Sequence, residues 1–173
     1  GIFLTIFSVV LFIIAFKIYY KYLIQEKRCK AKTKGIVKKY TLANRGGEHS
    51  GVHLPIIYYI VNGKEYKVTG PEYKSYKTVT TSSPLESNSE GEYKEDERQR
   101  LIIKQKVNSF ISIYKNPMEK IYPIGSEIDV YYDENNPKLA YVLRYCNRKW
   151  TFWLIFLSGL FTLVLDMAIQ LFI

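Results

Sequence analysis

Histidine and cysteine are scarce in this chain of 173 residues: two of each, against 25 lysines and arginines. Structural zinc sites draw their ligands in close pairs, and Cys29 and Cys146 lie too far apart in sequence to form one. His49 and His53 have the spacing of a helical metal pair, but Gly46, Gly47 and Gly51 around them argue against a helix. No phosphate-binding loop, dinucleotide fingerprint or nucleophile elbow is present, and Ser50-Gly51 lacks the strand-to-helix setting such an elbow needs. The expectation is a chain without catalytic residues, metal or cofactor.

Acidic charge is also short, with 16 carboxylates and a formal net charge of +9. A basic excess points to an anionic partner, either lipid headgroups or nucleic acid. Position favours lipid: Lys27, Arg28, Lys30, Lys32, Lys34, Lys38 and Lys39 follow directly on a hydrophobic segment, and only Glu26 opposes them. Nucleic acid is not an expected partner.

Hydrophobic residues are plentiful but confined to the two ends. The stretch 1–24 has no charge before Lys17 and suits a membrane-spanning helix, which needs roughly 20 apolar residues. Lys17 and Lys21 stand among Tyr19, Tyr20 and Tyr22, where long basic side chains reach an aromatic interfacial belt. No small-residue cleavage site follows the apolar run, which argues against a removed signal peptide; processing or further residues before Gly1 stay open. A second span, 150–173, opens on Trp150 and Trp153 and carries one carboxylate, Asp166, expected near the far interface as an interfacial or partner-helix contact, with a functional intramembrane carboxylate as the alternative. Lys27 to Lys39 on one flank and Arg144, Arg148 and Lys149 on the other place the middle domain on the cytoplasmic or matrix side by the positive-inside tendency. The surface contacts expected with anionic headgroups are Lys27, Arg28, Lys30, Lys32, Lys34, Arg148 and Lys149. Cys29 and Cys146, each beside a span, read as free thiols, with mutual proximity or palmitoylation as the alternatives.

Between the spans, 25–149 reads as a β domain. Strands are expected at 33–42, 52–61 and 65–69, the last two joined by Asn62-Gly63, the pair that best tolerates the positive φ of a tight type I′ turn. Residues 82–100, with Glu86, Glu90, Glu92, Glu95, Asp96 and Glu97, read as a mobile acidic loop. The stretch 101–114 carries both helical and strand periodicity, with a strand preferred from Val107. Asn116-Pro117 looks like a helix cap opening one short turn. Strands at 127–132 and 139–145 follow, with turns at Ile124-Gly125 and from Asp133 to Pro137. Asp133 suits an Asx turn, and Ile128, Val130 and Tyr132 alternate toward one face. The fold class is therefore two transmembrane helices flanking a small antiparallel β-barrel or sandwich-like domain.

The segment YPIGSEIDVYYDENNPKLAYVLR, Tyr122 to Arg144, resembles the signature of a family of small two-pass membrane proteins, domain-of-unknown-function family three-five-nine-two. Tyr122, Pro123, Gly125, Val130, Tyr131, Tyr132, Asp133, Asn136, Pro137 and Ala140 match its pattern, while Glu134 stands where proline is usual. The resemblance implies a β domain between two membrane helices and implies no activity. Three functions are consistent with these features: an accessory subunit of a membrane complex, whose partners are other membrane proteins; an immunity or regulatory protein against a membrane-active toxin; and a ligand sensor or enzyme using the turn from Tyr131 to Asn136.

Overall fold

A computed structural model describes residues 2–42, 51–84, 91–108 and 116–172. The chain divides into a helical unit, 1–28 with 147–173, and a β unit, 29–146.

In the helical unit, helices α1 (Ile2–Ile14) and α2 (Lys21–Arg28) are joined through one π-helical turn, Ala15–Tyr19, to make a continuous helix of 27 residues. Helix α4 (Lys149–Phe172) packs against it. Both are long and apolar enough to cross a membrane. The first continues past the boundary expected at residue 24, because Gln25, Glu26, Lys27 and Arg28 are all good helix formers and no glycine or proline interrupts them. Lys27 and Arg28 thus sit on the last helical turn.

A small-residue seam joins the two helices. Ser8, fully buried, donates its hydroxyl to the Gly159 carbonyl at 2.8 Å. A Cβ at Gly159 would come within 3.3 Å of the Leu11 Cβ and the Phe12 ring, so glycine lets the two helices approach closely here. Asp166, expected as an interfacial or partner-helix contact, bonds the facing helix α1: its Oδ2 accepts from the Thr5 hydroxyl at 2.6 Å, and from the Gln170 amide of its own helix at 3.1 Å. Thr5→Val is expected to weaken the hairpin by only about 1 kcal/mol, whereas Gly159→Leu should splay it. Interhelical disulfide trapping between cysteines placed on α1 and α4 would measure both.

Among the described residues the β unit holds two sheets. The first is a five-stranded antiparallel sheet in the order β3-β2-β1-β7-β8, formed by β1 (Ala31–Tyr40), β2 (Pro55–Val61), β3 (Lys64–Thr69), β7 (Glu127–Asp133) and β8 (Asn136–Val142). It curls until its edges, β3 and β8, approach each other, a nearly closed barrel. Alternation puts Val37, Ile57, Tyr59, Val61, Ile128, Val130, Ala140 and Val142 inside. Tyr59 crosses toward the seam, where its hydroxyl donates to the Pro137 carbonyl. Burial raises the Tyr59 phenol to about 12, above the ordinary phenol value of about 10. A raised folded pKa means that the folded state holds the proton longer. This contribution is therefore complete below about pH 10 and fades as pH climbs toward 12. Alkaline unfolding of Tyr59→Phe should begin at higher pH than that of the wild type.

The hairpin at Asn62-Gly63 forms as expected, with φ of 50° and 75°. Asn116 caps α3 (Pro117–Ile121) as expected, and its side chain also bonds the backbone N–H and C=O of His53 at 3.0 Å each.

The second sheet has the order β4-β6-β5: β4 (Ser75–Ser83), β5 (Glu92–Glu95) and β6 (Arg100–Asn108), with β4 and β6 parallel; of these only β6 was expected, and it begins seven residues before Val107. Glu92, Glu95 and Arg100, assigned by composition to a mobile loop, are strand residues. Residues 85–90 of that loop and 109–114 of the ambiguous stretch lie outside the described residues. Leu101 and Ile103 join Val52, Leu54, Tyr73 and Met118 in a second core.

Candidate functional site

Two two-residue turns, Asn62-Gly63 and Glu134-Asn135, share one end of the barrel. Ala31 pairs with Tyr132, so β7 ends where β1 begins; Gly35 pairs with Tyr59, so β2 runs on to Val61 at the same end. The turn residues of the sequence signature are spent on structure here. Asp133 accepts the Asn135 N–H at 3.0 Å, the expected Asx turn. Asn136 and Pro137 already belong to β8 rather than to the turn, and the Pro137 carbonyl holds Tyr59. Gly125, with φ of 87°, lies at the opposite end, where its N–H donates to the Val37 carbonyl at 2.8 Å.

The basic collar proves uneven. Lys27, Arg28 and Lys30 are exposed. Lys32 and Lys34 alternate outward on β1 and grip Asp129 of β7 from both sides, at 2.8 and 2.6 Å. These two hydrogen bonds hold the Asp129 carboxyl below the usual carboxylate range, and the same pairing raises Lys32. A depressed carboxylate stabilises the fold above its unfolded pKa and stops doing so as pH falls through the lower folded value. The carboxyl carbon shift of Asp129 should therefore titrate below that of an exposed aspartate, and Lys32→Gln should bring it back up. Lys149 pairs with Glu26 within the helical unit, and Arg148 precedes α4 half-buried.

Arg144, expected only as a flanking charge, is the centre of a half-buried constellation. Leu143 adopts φ of 58°, a left-handed conformation that turns the chain sharply after β8. Arg144 then reaches the second sheet: Nε bonds the Glu95 carboxylate, Nη1 donates to the Glu72 carbonyl at 2.7 Å, and the guanidinium lies 5.0 Å from the centroid of the Tyr73 ring. Burial raises the phenols of Tyr73 and Tyr122 beside it, so both stay neutral. Gln99, also at positive φ (59°), donates its side-chain amide to the Tyr145 carbonyl at 2.8 Å.

Both thiols are buried, and Cys29 Sγ donates to the Leu139 carbonyl at 3.2 Å, which hides it from an acyl donor. Among the described residues no three His, Cys, Asp or Glu side chains gather as metal ligands.

A groove of about 380 Å³ opens where β3 meets β8, lined by Tyr58, Glu65, Tyr66, Lys67 and Lys138. Sequence reading missed it, because its lysines are scattered singly over two strands distant in the chain. On α4, a second groove of about 420 Å³ is lined by Trp150, Trp153, Leu154, Leu157, Ser158, Phe161 and Thr162. The Ser158 and Thr162 hydroxyls turn back to carbonyls four residues earlier, leaving an apolar surface.

Compared with family models, curated proteins and solved structures, the chain matches none.

Proposed function

We propose that this chain is a membrane-anchored interaction module without catalytic function, an accessory subunit whose β domain stands on the cytoplasmic or matrix side. The observation that carries this reading is the α4 groove. Trp153, Leu157 and Phe161 remain 47%, 53% and 69% exposed after α1 has packed, and a cleft between bulky ridges suits a neighbouring helix. The signature turn supports the same reading from the other side, since Asp133 and Pro137 are occupied in holding the fold rather than aimed at a ligand. Kinship with the domain-of-unknown-function family three-five-nine-two belongs to this proposal, resting on the match from Tyr122 to Ala140.

Gentle detergent extraction should recover a defined membrane partner with the wild-type chain and lose it with the double variant Leu157→Ala/Phe161→Ala. A monodisperse, partner-free chain in several mild detergents would overturn the reading. For the orientation, exposed Lys77→Cys should react with a membrane-impermeant maleimide only after permeabilisation; labelling of intact cells would reverse it.

A further inference from the structure

The groove at the barrel seam has a chemistry of its own. Lys67 and Lys138 line it, and Lys64 stands 5.9 Å from the centroid of Tyr66. The one carboxylate in its wall, Glu65, is already paired with Lys38 at 2.7 Å, and Lys38 also lies 4.4 Å above the Tyr58 ring. Among the described residues neither Lys67 nor Lys138 has an ion-pair partner. The seam therefore presents a concave site with an excess of positive charge and two tyrosine walls.

Its place in the sheet adds a second argument. Lys64 opens β3 and Lys138 lies near the start of β8, both at the barrel end where β1 begins. Only Cys29 and Lys30 separate Arg28, the last residue of the spanning helix, from Ala31. The strand that opens the barrel thus follows the spanning helix after a link of two residues. Lysines and tyrosines at a bilayer surface meet phosphate oxygens and glycerol hydroxyls.

We propose that the groove between β3 and β8 is a headgroup site for an anionic phospholipid, with Lys67 and Lys138 on the phosphate and Tyr58 and Tyr66 against the glycerol portion. The bound lipid would lock the seam of the barrel to the leaflet, which makes the domain a reader of membrane charge. This rests on the membrane-anchored reading above and is independent of which side the domain faces.

The test is native mass spectrometry of the full chain released from maltoside micelles, titrated with dioctanoyl phosphatidylglycerol or dioctanoyl phosphatidylcholine. The wild type should retain the glycerol lipid in preference, and Lys67→Gln/Lys138→Gln should cut that retention roughly tenfold or more. Lys77→Gln/Lys104→Gln, which removes the same charge from the second sheet, should leave it unchanged. An equal fall in both double variants, or no preference between the lipids, would overturn the site. So would displacement by inorganic phosphate at matched concentration, which would assign it to a soluble anion, or displacement by oligo-deoxythymidine. Because the measurement is made in micelles, its failure leaves the partner-copurification result standing, and the reverse holds equally.

Discussion

Arg144→Ala is expected to release the second sheet from the barrel at a cost of about 2–3 kcal/mol. The substitution removes the ion pair with Glu95, the charge-assisted bond to the Glu72 carbonyl and the contact with the Tyr73 ring together. Surface ion pairs contribute little, but this one is three-quarters buried on the arginine side, with 25% side-chain exposure. The Glu95 carboxylate and Glu72 carbonyl would lose their donor. Hydrogen exchange should report the damage locally: faster exchange over β5 and the start of β6, with β1 and β7 nearly unchanged. Arg144→Lys keeps the charge but not the forked geometry, so it should recover only part of the loss. Uniform acceleration across both sheets would refute a local latch.

Gly35→Val should cost more, about 3 kcal/mol or above, and should act on the barrel itself. Gly35 sits in the middle of β1, and a Cβ there would overlap the Ile57 Cγ2, reach the Val130 Cγ2 at 3.0 Å and the Tyr58 carbonyl oxygen at 3.1 Å. Two of these neighbours are core side chains and the third is backbone, so relief requires the sheet to open. The double variant Gly35→Ala/Ile57→Ala should be less destabilised than the sum of its parts, because the second change vacates the space the first needs. Additive losses in detergent-solubilised thermal unfolding would mean that the overlap is not the cause.

The barrel was largely legible in the sequence, and the reasons are local. Asn62-Gly63 declares its turn through two backbone conformations that few other residues adopt, and Asn116-Pro117 declares a helix start by one cap and one fixed φ. Ile128, Val130 and Tyr132 alternate over a short window. The second sheet offered no such signal. In β4 the residues are Ser, Thr, Lys and Tyr with a single Val, and β5 is EYKE; their strand character comes from pairing with β6, whose Leu101 and Ile103 reach the core. A parallel pair such as Ser75 with Arg100 is long-range and leaves no periodic trace in a polar stretch. The candidate site divides in the same way. The lysine collar was visible as a run, but its partial neutralisation by Asp129 was not, since the partner lies about a hundred residues away. Lys67 and Lys138 come together only because β3 and β8 close the barrel.

The strand order has a consequence for synthesis. β1 is the central strand, paired on one side with β2 and on the other with β7. The first helix and the β1-β2-β3 meander leave the ribosome early, but the 57 residues 70–126 must follow before β7 begins. At about 5–20 residues per second this takes roughly 3–11 s. Throughout that interval the β7-facing rim of the nascent meander stays unsatisfied, open to pairing with another polysome's product. The lysines that alternate outward along β1 repel such a neighbour, so Lys32 and Lys34 guard the half-made domain before Asp129 exists to hold them.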